Sequence, residues 1–412
     1  MTSVLRPVAA LMLSTAILLL GGGLIGLLLP LRADLEGFSA IEIGTLGGAY
    51  YGGLMLGCFL APALIGRVGH IRCFAASTAL ATIAPLLHML IVDPLAWTVL
   101  RIFQGICFAG LFTVIESWLS DAATSENRGR VLALYTVVHL SVATIGMQLI
   151  GLGKVASFEL FAVVAILFSA AAVPVALTRT VAPTPPRTAG LHVRQLFAIS
   201  PTALAGSLFA GLSNSAIWTM TPVFGRDLGL PPREAAVLLA VIVLSGAAGQ
   251  WPVGWLSDRV GRRPVLIGLT LVAAAACAGI VHAAGHDRSL LLANGCLLGA
   301  VAFSMYPLSV AHANDLVPRE RAVETSGGLL MVFSFAAVIG PLIASVSMTV
   351  LGDWALFLYL GVTHVLLVPL LVVRIGQRPT LPIEDKDGFV ALARTTPAMF
   401  DLDPRSEGHG GT

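Results

Sequence analysis

Apolar residues along this chain do not alternate with polar ones. They run on for about twenty positions at a time and are then broken by short polar clusters. Twelve such runs lie near residues 8–30, 43–65, 72–92, 95–118, 131–152, 158–178, 199–222, 234–256, 264–284, 290–312, 323–350 and 354–374. A bilayer core about 30 Å thick takes about 20 residues of helix to cross. Each run therefore predicts one membrane-spanning helix. No strand is required, because a helix satisfies its own backbone in lipid. The breaks carry turn and charge chemistry, as at Arg32-Ala33-Asp34, Asp93-Pro94, Ser125-Glu126-Asn127-Arg128 and Gly285-His286-Asp287-Arg288. The first run, Pro7 to Leu31, is longer than a signal-peptide core and no small-residue cleavage site follows it, so it is expected to stay as the first span.

Composition agrees with a chain whose solvent is lipid. Of 412 residues, 57% are hydrophobic and 11% charged, against about 25% charged in soluble domains. The net charge is +2, and no basic run is interleaved with aromatics, which argues against a nucleic-acid partner. Cys58, Cys73, Cys107, Cys277 and Cys296 are scattered without a CxxC pair. They read as small buried hydrophobes rather than metal or redox groups, and no cofactor is expected.

Lysines and arginines set the orientation. With the N-terminus in the cytoplasm, sixteen fall in inside loops and flanks and five outside. That bias places both termini on the cytoplasmic side. The longest polar link, residues 179–198, reads as an extended cytoplasmic linker. It separates an N-terminal bundle, 1–178, from a C-terminal bundle, 199–374, with six spans each. The polar stretch 375–412 is expected to be a disordered cytoplasmic tail.

The halves are weakly alike at an offset of 192–194 residues. Arg67-Val68-Gly69 meets Arg259-Val260-Gly261, Gly105 meets Gly299, Asp121 meets Asp315, Glu126 meets Glu320, and Gly146 meets Gly340. A nearly constant offset across helix ends marks an internal repeat. A parallel six-plus-six repeat is one arrangement of secondary transporters.

The link after the eighth run is GWLSDRVGRRPVL, residues 254–266. Gly254, Leu256, Asp258, Arg259, Gly261, Arg262 and Arg263 reproduce a complete Gly-x-Leu-x-Asp-Arg-x-Gly-Arg-Arg pattern, which resembles the loop motif of the major facilitator superfamily. The first-half copy, PALIGRVGHIR, keeps Arg67, Gly69 and Arg72 but has Gly66 where the motif carries Asp. Arg101-x-x-Gln104-Gly105 resembles the family's fourth-helix motif. Glu116-Ser117-Trp118-Leu119, followed by Glu126-Asn127-Arg128-Gly129-Arg130 and Leu134-Tyr135, is similar to the bacterial YcaD-type branch. The fifth helix reads Gly146-Met147, without the Gly-Pro of many drug/proton antiporters, and Gly340-Pro341 stands in the eleventh.

The resemblance implies an all-α membrane protein of twelve transmembrane helices in two pseudo-symmetric bundles. It also implies a multi-pass transporter of the bacterial inner membrane, working as a monomer by alternating access on a small-molecule substrate, with protons as a possible co-substrate. The loop motif would control opening at the cytoplasmic side. By pseudo-symmetry Asp258 should reach the start of the fifth helix near Arg128–Val131, and Gly66 should leave the matching contact absent.

Several residues are candidates for substrate or coupling roles, each with a structural alternative. Arg101 and Glu116 lie about 60° apart on the fourth-helix wheel and about 22 Å apart along its axis, with Gln104 near Arg101. Charged residues in a span normally face a bundle interior or a wet cavity. Arg101 is either an anion- or proton-linked group or a brace for neighbouring carbonyls. Glu116 is either a proton carrier or a rim carboxylate paired with Arg128 or Arg130. His139, inside the fifth span, is a coupling group or a helix–helix hydrogen bond. Asn214, Trp218 and Thr221, at i, i+4 and i+7, share one face and bind substrate or glue helices; Tyr50 is similar. Asp121, Glu126, Arg128, Arg130, Asp315, Glu320 and Arg321 form the inner-loop charges. Gly22/Gly26, Gly48/Gly52, Gly53/Gly57 and Gly295/Gly299 form GxxxG pairs suited to close helix packing.

Two rival readings are weighed. A membrane enzyme would need a nucleophile–base pair or metal ligands, and neither HExxH nor a triad is found. A transporter-like sensor would bind its ligand without moving it. No phosphate-binding Gly-x-x-x-x-Gly-Lys-Ser/Thr is present, so ATP is not the expected driver.

Overall fold

A computed structural model describes residues 2–124, 126–177, 183, 193–375 and 388–403, and among these every regular element is helical. The twelve long helices are α1 Thr2–Leu35, α2 Ala40–Val68, α3 His70–Leu90, α4 Pro94–Ala122, α5 Arg128–Gln148, α6 Glu159–Ala170, α7 Pro201–Asp227, α8 Pro232–Val260, α9 Arg262–Ala283, α10 Arg288–Asn314, α11 Ala322–Leu351 and α12 Ala355–Ile375. Local chemistry starts several of them. Ser39 and Glu42 form a reciprocal capping box at α2, and Asp93 caps α4 with Pro94 at its first position. Ser200 caps α7 in the same way ahead of Pro201. These side chains satisfy amide groups that the first helical turn leaves without partners.

Eleven helices of the described residues are long and apolar enough to cross a membrane. The helix that misses is α7. It has 27 residues, and Ser207, Ser213, Asn214, Ser215, Thr219 and Thr221 are buried along it. Its polarity faces other helices rather than lipid. The outside of the molecule is apolar, with Trp251 79%, Leu90 77%, Leu95 73% and Val350 73% exposed. So large an apolar surface belongs in a bilayer rather than in water. Four of the cysteines are buried; Cys296 is exposed, contrary to the sequence reading.

The repeat is physical. In the first half α1 packs on α5 and α6, α2 on α4, and α3 on α4 and α6; in the second, α7 packs on α11 and α12, α8 on α10, and α9 on α10 and α12. Gly69 and Gly261 end α2 and α8 at φ 82° and 108°, a backbone region that side chains with a Cβ rarely enter. A Cβ at Gly105 would fall on the Tyr50 carbonyl, and one at Gly299 on the Ile242 carbonyl. The same holds for Gly146 on Leu20 and Gly340 on Leu212. Matched glycines thus mark matched backbone crossings in the two halves. Across the halves, α2 meets α11, α5 meets α8, and α1 meets α7.

Two boundary expectations change. Most of the linker, 179–182 and 184–192, lies outside the described residues, as does residue 178, but Val193–Ile199 is a short helix rather than extended chain. The stretch expected as a disordered tail lies outside the described residues at 376–387 and 404–412. Residues 388–403, by contrast, are packed inside the protein, with Leu392, Ala393, Thr396, Met399, Phe400 and Leu402 buried and Pro397–Leu402 in a short helix. Their apolar side chains remove surface from water, and that gain outweighs the flexibility expected from Pro and Gly content.

Candidate functional site

A cavity of about 180 Å³ lies where the two halves meet, lined by α1, α2, α4 and α5 from the first half, α7 and α11 from the second, and residues 393–395. Its wall is mostly aliphatic and glycine, with aromatic faces from Tyr50, Tyr51, Phe108, Phe112 and Trp218, and Arg101, Gln104, His139, Asn214 and Arg394 bring polar groups to it.

Arg101 lines the cavity and also bonds neighbouring groups. Its guanidinium stacks over the Tyr50 ring at 4.4 Å and donates to Gln104 Oε1 at 2.6 Å and to the Leu46 carbonyl at 3.5 Å. It braces α2 and also faces the cavity. Cation–π contact and the amide together hold a charge that would be costly in bare lipid. Gln104 Nε2, His139 Nδ1 and both amide atoms of Asn214 are buried without a hydrogen-bond partner among the described residues. Buried polar atoms are almost always paired, so these are unused donors and acceptors beside the cavity. Trp218 joins Asn214 on the cavity wall, but Thr221 does not: it is fully buried, and Thr219 takes the lining position. The i+7 step overshoots because the cavity occupies only part of the α7 face.

Glu116 is fully buried beyond that cluster. Its carboxylate accepts hydrogen bonds from the Tyr135 hydroxyl at 2.7 Å and from the hydroxyls of Thr395 and Thr396. It therefore sits within the protein interior rather than at the rim beside Arg128 or Arg130. Arg394 donates to the Phe303 carbonyl at 3.1 Å and lies over the Phe303 and Phe333 rings. The sequence reading passed over Arg394, Thr395 and Thr396 as tail residues. The available signal was local: Phe389-Val390-Ala391-Leu392-Ala393 and Pro397-Ala398-Met399-Phe400 are apolar clusters in an otherwise polar stretch.

The loop motif forms a charged knot at the α8–α9 turn. Arg262, with its side chain 1% exposed, pairs with Asp258, donates to Asp315 at 3.1 Å and donates to Ser257 at 2.7 Å. Asp258 was expected at the start of α5. Here it is held by Arg262 and accepts the Phe389 N–H at 3.3 Å, because Phe389 packs on Gly254 one turn earlier. Arg263 is buried and donates to His312 at 3.4 Å, and Arg259 stacks on Trp255. In the first half His70 takes the place of Arg262 and bonds Ser117 at 2.7 Å. Gly66 has open space around it, and Arg67 and Arg72 are exposed. Of the loop charges, Asp121, Glu126, Arg130 and Glu320 are exposed, Arg128 is half-buried, and Arg321 lies 3.8 Å from Glu324. No cluster of three or more metal-ligating side chains occurs among the described residues.

A twelve-helix bundle with matched halves, an apolar exterior and, at the seam, an apolar cavity that carries a few polar groups defines a multi-pass membrane transporter. The Major Facilitator Superfamily model matches residues 11–202 and again 203–400, and the chain belongs to that family. It is 26% identical over 382 residues to an uncharacterized MFS-type transporter of Enterobacter sp. strain 638, covering 92% of this chain and 99% of that one. It is 24% identical over 381 residues to the uncharacterized MFS-type transporter YcaD of Escherichia coli, covering 92% and 98%. The YcaD name agrees with the branch that Glu116–Leu119, Glu126–Arg130 and Leu134-Tyr135 resemble. In fold the chain is similar to the nucleoside transporter NupG, with a TM-score of 0.73 at 14% identity, covering 89% of this chain and 98% of that one. It is also similar to a D-xylose-proton symporter, with a TM-score of 0.70 at 14% identity, covering 92% and 99%. Family and relatives are transporters, not enzymes.

Proposed function

We propose that this transporter carries a small neutral or singly charged amphipathic solute across a bacterial inner membrane by alternating access, driven by the proton gradient. The supporting observation is the cavity at the seam. It brings aromatic faces, the Arg101 guanidinium and the groups of Gln104, His139 and Asn214 that are unpartnered among the described residues to one place between the two halves. Aromatic faces with a few convergent polar groups suit a small organic molecule. Of the two guanidiniums on the cavity lining, Arg394 already binds the Phe303 carbonyl, which leaves Arg101 to meet one negative charge or a polarised neutral group. Proton drive draws support from the D-xylose-proton symporter of like fold. Glu116 and His139 are the groups proposed to carry the proton. The loop-motif end is assigned to the cytoplasm from the lysine and arginine bias.

Thermal unfolding of the purified protein against a metabolite and drug panel tests the solute site. A ligand of the folded state raises apparent stability by mass action. The expected result is a concentration-dependent shift that Arg101→Ala and Asn214→Ala reduce. Counterflow of that ligand in liposomes then separates transport from sensing. A shift that neither variant alters would place the ligand elsewhere, and binding without counterflow would refute transport.

A further inference from the structure

Residues 388–403 join the two halves at the loop-motif end of the cavity. On the first half, Thr395 and Thr396 give both hydroxyls to the two oxygens of Glu116 on α4. On the second half, Arg394 binds the Phe303 carbonyl of α10 at 3.1 Å. The Leu392 N–H donates to Gln250 of α8 at 3.3 Å, and the Phe389 N–H donates to Asp258 at 3.3 Å. The short helix Pro397–Leu402 packs against α4, α5 and α11. Ala393, Arg394 and Thr395 line the cavity itself. These contacts place named side chains into named acceptors, with Thr396 and Met399 fully buried.

We infer that the loop-motif end of the cavity is a peptide-binding site, and that residues 388–403 are its resident ligand and a removable plug. The peptide presents two adjacent hydroxyls to a carboxylate, a cation to a carbonyl and two rings, and apolar side chains to the helix faces. Because it is anchored to both halves, they cannot separate at this end while it is seated. A solute leaving toward this end must displace it. That consequence rests on the transport reading; the binding site does not.

The test starts from the full, folded protein with a protease site inserted between Ile375 and Gly388. After cleavage in detergent, either the fragment stays with the body through gel filtration, or it leaves and a fluorescent synthetic peptide of sequence GFVALARTTPAMFDLD is added. Retention, or saturable rebinding that weakens at least about tenfold with Thr395→Val/Thr396→Val in the peptide, is expected. Loss of the fragment with no saturable binding up to about 100 µM peptide, or equal binding of the double-valine peptide, would overturn the site. A cysteine introduced at Ala143 on the cavity wall, in an otherwise cysteine-free full chain, reads the plug. Its labelling by an impermeant thiol reagent from the loop-motif side should rise at least about tenfold with Arg394→Ala/Thr395→Val/Thr396→Val. Unchanged labelling would overturn the plug. Peptide binding in a protein that shows no counterflow of any solute would retire the transport reading and leave the site standing.

Discussion

The knot at the α8–α9 turn predicts a ladder of stabilities that sequence position would not suggest. Three of the groups that Arg262 binds lie in very different surroundings. The Asp315 side chain is 2% exposed, Ser257 is fully buried, and the Asp258 side chain is 39% exposed. Arg262→Met removes the arginine that binds buried Asp315 at 3.1 Å, and losing one partner of a buried pair costs about 3–5 kcal/mol. Asp315→Asn leaves Arg262 still bound to Asp258 and Ser257, so its cost should fall lower, at about 2–3 kcal/mol by the same reasoning. Asp258→Asn removes a partly solvated ion pair and should cost about 0.2–1 kcal/mol. The double variant Arg262→Met/Asp315→Leu leaves no orphaned charge at the Asp315 site. It should be more stable than the sum of its single changes by about 0.5–3 kcal/mol. Apparent unfolding temperatures in one detergent at one scan rate would give the order, since unfolding of such a protein is governed by kinetics as well as equilibrium. If Asp258→Asn fell as far as Asp315→Asn, or the double change were simply additive, the reasoning from burial would be refuted.

Other outcomes follow from the same geometry. Asp258→Asn, although mild in stability, loosens both Arg262 and the Phe389 N–H, so cysteine labelling at the loop-motif end should increase; unchanged labelling would remove Asp258 from any gating role. Gly299→Val pushes a side chain into the Ile242 carbonyl at the α8–α10 crossing and should destabilise by about 1–3 kcal/mol through overpacking. Gly26→Ala, with nothing within 4 Å of the new carbon, should stay within about 0.5 kcal/mol, and equal melting of these two variants would contradict the crossing geometry. Gly261→Ala forces a Cβ into φ 108° and should cost about 1–3 kcal/mol, read as a lower unfolding temperature than the wild type.

The apolar runs and their polar breaks were enough to specify twelve helices, because lipid leaves a backbone segment few other ways to satisfy its amides. The offset repeat was also legible. Gly69 and Gly261 need one backbone conformation at equivalent turns, and Gly105, Gly299, Gly146 and Gly340 need the same freedom from a Cβ at equivalent crossings. Arg101 and Gln104 could be placed as neighbours from their spacing alone, three residues apart on one helix face. Partners distant in the chain were not legible. Glu116 meets Thr395 and Thr396 across 279 and 280 positions, and Asp258 turns to Phe389 rather than to α5. Thr221 and Thr219 both lie on α7, yet only the packing of the other helices decides which one reaches the cavity. Helix periodicity constrains neighbours within a few turns. Which segment fills the space between two bundles depends on the shape, polarity and free hydrogen-bonding groups of that space, and these exist only once the helices have packed.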